Sequence, residues 1–92
     1  MKSYEVDIVV SELWEKFWGL IDGEEYLKRV PNARQEQEEI ADIIGDSFGE
    51  TINNFREHYK LSEFANSNVS KLFTEACLRR IFSKFKAKIQ KN

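Results

Sequence analysis

From Ser3 to Val10 apolar and polar positions alternate, with Tyr4, Val6, Ile8 and Val10 on one side and Glu5, Asp7 and Val9 on the other. A two-residue period of this kind predicts a half-buried strand. Ser11 then stands where an N-cap would, ahead of Glu12 and a wide apolar face of Leu13, Trp14, Phe17, Trp18, Leu20 and Ile21. A helix is expected to start there. Gly19 weakens it and Asp22-Gly23 ends it. Glu24 to Val30 reads as a second, short helix closed by Pro31, because proline cannot extend a helical hydrogen-bond ladder.

Asn32 is placed to cap a long third segment. At about 100° per residue, Ile44, Phe48, Ile52, Phe55 and Tyr59 stay within about 120° of Ile40. The opposite side collects Glu39, Asp42, Asp46, Glu50, Asn53 and Glu57. Gly45 and Gly49, one turn apart, mark either a kink or a place where another backbone comes close. Lys60 to Asn68 reads as a connector, with Asn66-Ser67-Asn68 as loop and cap. The final helix is expected from Val69 to Ile89, and its apolar face is divided. Val69, Leu72, Phe73 and Ala76 share one side, whereas Leu78, Phe82, Phe85 and Ile89 lie nearly opposite. One buried stripe cannot satisfy both sets. Either the helix breaks near Cys77, or its second half packs on something else, such as a second copy of the chain.

These elements predict an α+β, predominantly helical fold: one N-terminal strand followed by three or four helices, forming a single domain over 1–92. Its core is expected to hold Val6, Ile8, Leu13, Phe17, Ile40, Ile44, Phe48, Ile52, Phe55, Phe73, Leu78 and Phe82. A lone strand leaves backbone donors and acceptors unpaired, so a homodimer that pairs two such strands is a further expectation. The 92 residues, 41% hydrophobic and 33% charged, suit a folded chain with one modest core. No apolar run is long enough for a transmembrane helix, and the N-terminus lacks a signal-peptide core. Cys77 is the only cysteine, so no internal disulfide forms and a cytoplasmic setting is expected.

Charge changes the picture most. Residues 1–63 carry fifteen Asp/Glu against seven Lys/Arg, a net of −8, and residues 64–92 carry one acid, Glu75, against seven bases, a net of +6. A chain so divided can present opposite surfaces to two partners or neutralise itself on folding. Catalytic signatures are missing. Gly19, Gly23, Gly45 and Gly49 form no phosphate loop, and His58 is the only histidine, which rules out a His-based metal cluster. Cys77 with His58 can in principle be written as a nucleophile and base. The position of Cys77 between Ala76 and Leu78 marks it as a buried structural cysteine. No enzyme activity, metal or cofactor is expected.

The order strand–helix–turn–helix over residues 3–30 resembles the ribbon-helix-helix DNA-binding family, whose paired strands read the major groove. The outward residues here, Glu5 and Asp7, would repel phosphate, so the function is not carried over. Two surfaces remain. Glu39, Asp42, Asp46, Glu50 and Glu57 spread carboxylates along roughly 30 Å of helix, a row able to imitate phosphates and occupy a basic groove. Small phage-encoded inhibitors of nucleases and DNA-packaging proteins are similar in size, acidity and lack of catalytic residues. The expected function is therefore a non-catalytic interaction protein, an inhibitor or DNA mimic binding a basic, nucleic-acid-handling protein in the host cytoplasm. The exposed member of the Trp14/Trp18 pair would serve as aromatic anchor. The alternative is a small nucleic-acid-binding regulator using Arg80, Lys84, Lys88 and Lys91, a basic stripe along the last helix that would follow a phosphate backbone. Direct nucleic-acid binding ranks second because so few cations make a small electrostatic footprint.

Overall fold

Val6, Val9, Val10, Leu13 and Phe17 recur at three- and four-residue intervals, and they line one face of a single helix, α1 (Ser3–Leu20). The computed structural model describes the backbone of residues 3–91 and the side chains of 6–60 and 62–90. It contains α1, α2 (Gly23–Arg29), α3 (Ala33–Arg56), a 3-10 turn (Leu61–Ala65) and α4 (Ser67–Lys91). No strand occurs among the described residues. The expected α+β fold is thus corrected to an all-helical one, and the strand-pairing argument for a homodimer falls with it.

The physical reason lies in Ile8. In the strand reading it faces the core, yet it is 54% exposed, while Val9, from the supposed polar side, packs against the core. Four β-branched residues between positions 6 and 10 each lower helix propensity by a few tenths of a kcal/mol. Joining the apolar stripe to Leu13 and Phe17, which are buried, and closing the backbone hydrogen bonds internally outweighs that cost. Ser11 therefore sits inside α1 rather than capping it.

Elsewhere the caps form where the sequence offers them, but α4 begins at Ser67, two residues before the expected Val69, and the expected connector holds the 3-10 turn Leu61–Ala65. Asn32 Oδ1 accepts the Gln35 amide at 3.1 Å at the start of α3, and Asn66 Oδ1 accepts the Asn68 amide at 2.8 Å at the start of α4. Between α1 and α2 the chain reverses at Asp22, whose φ of 51° places it in the left-handed region, where Asp is tolerated better than bulkier residues. The following Gly23 is buried against the Trp18 indole, and a Cβ there would fall within the ring. Neither Gly45 nor Gly49 has a neighbour that a Cβ would meet. They lie within one continuous α3, so no backbone approaches them.

α3 packs most extensively against α4, with α1 laid across both. The 25 residues of α4, at about 1.5 Å each, run most of the molecule's 43 Å long axis. The core consists of Leu13, Phe17, Ile40, Ile44, Phe48, Ile52, Phe73, Cys77, Ile81 and Phe85. Of the expected core, Val6, Phe55 and Leu78 are partly buried at its edge, while Ile8 and Phe82 are exposed. Cys77, Ile81 and Phe85 replace them. α4 is unbroken at Cys77, and its divided apolar face is explained by two neighbours. One flank carries Phe73 onto Phe48 and Phe55 of α3, at 5.6 and 5.3 Å between ring centroids. The other carries Phe82 and Phe85 onto Phe17 of α1, at 5.0 and 5.2 Å.

Candidate functional site

The acidic helix and the basic helix lie side by side, and much of their charge meets. Lys84 Nζ donates to Glu50 Oε1 at 2.7 Å, and Arg80 Nε lies 3.9 Å from Glu50 Oε2. Arg80 Nη1 also donates to Thr51 Oγ1 at 2.9 Å, and Thr51 in turn donates to the Ser47 carbonyl at 2.6 Å. At the far end of the seam Lys88 Nζ donates to both Glu36 oxygens at 2.7 Å and lies 3.0 Å from Glu39 Oε2. The phenol of Tyr26, from α2, donates to Glu36 Oε2 at 2.8 Å.

This last cluster is the most enclosed ionic group among the described residues, with the side chains of Glu36 and Lys88 only 14% and 16% exposed. Burial works against both charges, and the pairing outweighs it. Hydrogen bonds from Lys88 and Tyr26 hold the Glu36 carboxyl below its ordinary value. Those to Glu36 and Glu39 raise the Lys88 ammonium above its own. The Tyr26 phenol is pushed up by burial first and by its bond to Glu36 second. All three groups are thus locked in the states that tie α2, α3 and α4 together. An open cleft of about 720 Å³ adjoins them, with Arg29, Pro31, Gln35, Glu39 and Ile89 in its walls.

The structure therefore divides the sequence-derived acidic set. Glu39 and Glu50 lean towards α4 and are engaged, together with Glu36, which the spacing argument did not place in that set. Asp42, Asp46 and Glu57 are exposed and enter no ion pair among the described residues. With Glu38, which meets only Arg34 of its own helix at 3.7 Å, they form the solvent side of α3. Of the basic stripe, Arg80, Lys84 and Lys88 reach back to α3, and the Lys91 side chain lies outside the described ones. The cations left outward on α4 are Lys71, Arg79 and Lys86, all exposed. Pairing each base of α4 with an acid one helix away would have found this division, but it requires the order in which the helices pack.

Trp14 and Trp18 stack on each other, 5.1 Å between centroids and 13° from parallel. Both are half-buried, so neither stands free as the expected anchor. Cys77 is fully buried, and that burial raises its thiol above the ordinary value against the opposing effects of Thr51 and Arg80. His58 is exposed beyond the end of α3. Among the described residues no group of three His, Cys, Asp or Glu side chains is placed to hold a metal ion, and no helix is long and apolar enough to cross a membrane. The chain matches no protein-family model, no curated protein and no solved structure.

Proposed function

We propose that this protein is a small, non-catalytic interaction module, acting in the cytoplasm, whose solvent-facing side of α3 binds a basic partner. Its most concrete form is an inhibitor or phosphate mimic that occupies the basic groove of a nucleic-acid-handling protein, in the host cytoplasm if the chain is phage-encoded. The observation that carries this reading is the sorting of charge. The cations of α4 are turned onto Glu36, Glu39 and Glu50, so they do not neutralise Asp42, Asp46 and Glu57. The internal pairing also supports an acidic rather than a phosphate-binding surface, because Arg80, Lys84 and Lys88 would have to leave carboxylates before meeting nucleic acid.

The test is retention of partners from a lysate of the source cell, with and without nuclease, by the wild-type protein and by Asp42→Lys/Asp46→Lys. Both positions face solvent without ion pairs, so the double variant keeps the fold. The expected result is a basic nucleic-acid-handling protein retained after nuclease treatment and lost with the double variant. Retention that vanishes with nuclease in the wild type would overturn the reading and turn attention to the outward cations of α4.

A further inference from the structure

We propose that the outward cations of α4 dock on the outward acids of α3 of a second copy of this chain. The two helices run antiparallel, with Lys86 of one copy opposite Asp42 of the other and Lys71 opposite Glu57. At about 100° per residue, Asp42, Asp46 and Glu57 fall within about 60° of one another, and Lys71, Arg79 and Lys86 within about 80°. Each set is therefore one row along its helix. All six residues are exposed, and none enters an ion pair among the described residues. Glu57 lies one residue past α3, but its φ of −72° and ψ of −24° continue the helical path.

The two rows match in length as well as in sign. Fifteen positions separate Asp42 from Glu57, and fifteen separate Lys71 from Lys86, a rise of about 22 Å in each helix. With the ends opposed, the interior positions fit too. Glu75, the one acid in the α4 row, falls opposite Asn53, an exposed and uncharged position in the α3 row. Arg79 falls opposite Gly49, which offers no side chain to hold it off, and Asp46 is one further turn away, about 4.5 Å along the axis. Arg56 falls opposite Leu72, which is 46% exposed, and so meets no cation. Charge selects the occupant. A phosphate backbone would find only the three cations of this row and would be repelled by Glu75, whereas a second copy meets them end for end and spares Glu75. Because the two faces differ, the contact is heterologous and leaves an acidic row free at one end and a basic row free at the other. Each contact covers a face that a basic partner would otherwise occupy, so self-association and partner binding exclude each other. Self-association shares that face with the proposed function but does not require that such a partner exist.

Sedimentation equilibrium of the purified full chain at low salt, from micromolar to near-millimolar concentration, tests it. The expected average mass rises reversibly from 10.9 kDa towards twice that value and beyond. It should fall back at about 1 M salt, where the screening length is about 3 Å. Asp42→Lys/Asp46→Lys and Arg79→Glu/Lys86→Glu should each raise the dissociation constant at least about tenfold, with an unchanged far-ultraviolet helical signal. An equimolar mixture of the two should associate again, because each reversed face meets its reversed complement. Asn53→Lys decides the register. It sets a cation against Glu75 and should tighten association about two- to fivefold, although it makes the α3 row less acidic. Arg79→Glu/Lys86→Glu should also leave retention of a basic partner intact, which separates loss of self-association from loss of partner binding. A mass fixed at 10.9 kDa at every concentration would overturn the proposal. So would association indifferent to either double reversal, or an Asn53→Lys variant that binds itself no more tightly than the wild type.

Discussion

The two flanks of α4 are held differently, the α3 flank over the greater length of the helix. Towards α3 a narrow apolar line, Phe73, Cys77 and Ile81, is sealed along its edge by Arg80, Lys84 and Lys88 on carboxylates of the acidic helix. Towards α1 the contact is aromatic, Phe17 against Phe82 and Phe85, with Tyr26 of α2 edge-on to Phe85 at 5.3 Å. The difference teaches where stability and specificity reside. Aromatic burial supplies a large apolar area, whereas each ion pair on the α3 flank ties one residue of α4 to a particular carboxylate of α3. The polar flank aligns α4, and the aromatic flank supplies most of the burial on the α1 side.

The largest expected effect is on the aromatic flank. Phe17→Ala removes a fully buried ring and should cost about 3–5 kcal/mol, a large part of the roughly 5–14 kcal/mol available to a chain of this length. Urea unfolding would show it as a lower midpoint, and an unchanged midpoint would remove α1 from the core. Next comes the enclosed pair on the other flank. Lys88→Met leaves Glu36 with only the Tyr26 phenol and should cost about 2–4 kcal/mol. Adding Glu36→Leu should recover most of that loss, because an apolar pair of similar size replaces a buried ion pair at little cost.

The same cluster has a pH signature. Glu36 is held below its ordinary value of 4.5. Its contribution is therefore complete above that value and is lost as pH falls through the depressed folded value. Lys88 is raised above 10.5 and Tyr26 above 10.0, so their contributions are complete below those values and are lost as pH rises through the raised ones. Chemical denaturation across pH should give a plateau with both shoulders, and the acid shoulder should shrink in Lys88→Met/Glu36→Leu. If the double variant keeps the wild-type acid shoulder, Glu36 is not its source.

Smaller effects belong to the glycines. Gly23→Ala drives a methyl into the Trp18 indole and should cost about 1–3 kcal/mol, visible as a changed tryptophan emission with the Trp14–Trp18 stack disturbed. Gly45→Ala meets open space on the solvent side of α3 and should instead add about 0.5–1 kcal/mol. Loss of stability at Gly45→Ala would mean that α3 bends there after all.

Much of this was legible from spacing. The stripe Ile40, Ile44, Phe48 and Ile52 specified the buried face of α3, and Asn32 marked where α3 starts. The N-terminal segment reads as a strand because Tyr4, Val6, Ile8 and Val10 satisfy a period of two. Val6, Val9 or Val10, Leu13 and Phe17 satisfy a helical period over a longer stretch, and the longer pattern prevailed by burying more. Ile81, fully buried, does not stand out in the sequence because the apolar residues of α4 encircle much of that helix, leaving no single stripe to read.

Sequence alone is sufficient for the start of α3, the turn at Asp22-Gly23 and the opposed charge of the two halves, because caps, breakers and composition act locally. Tertiary packing decided the rest. Whether the halves neutralise each other depends on α3 lying beside α4. That choice comes from the apolar faces, and only then do Glu36, Glu39 and Glu50 become inner residues while Asp42, Asp46 and Glu57 stay outside. A carboxylate at the edge of a buried stripe and one on the open side of a helix are alike in sequence. The neighbouring helix is what distinguishes them, because a charge costs little in water and must be paired where water is displaced.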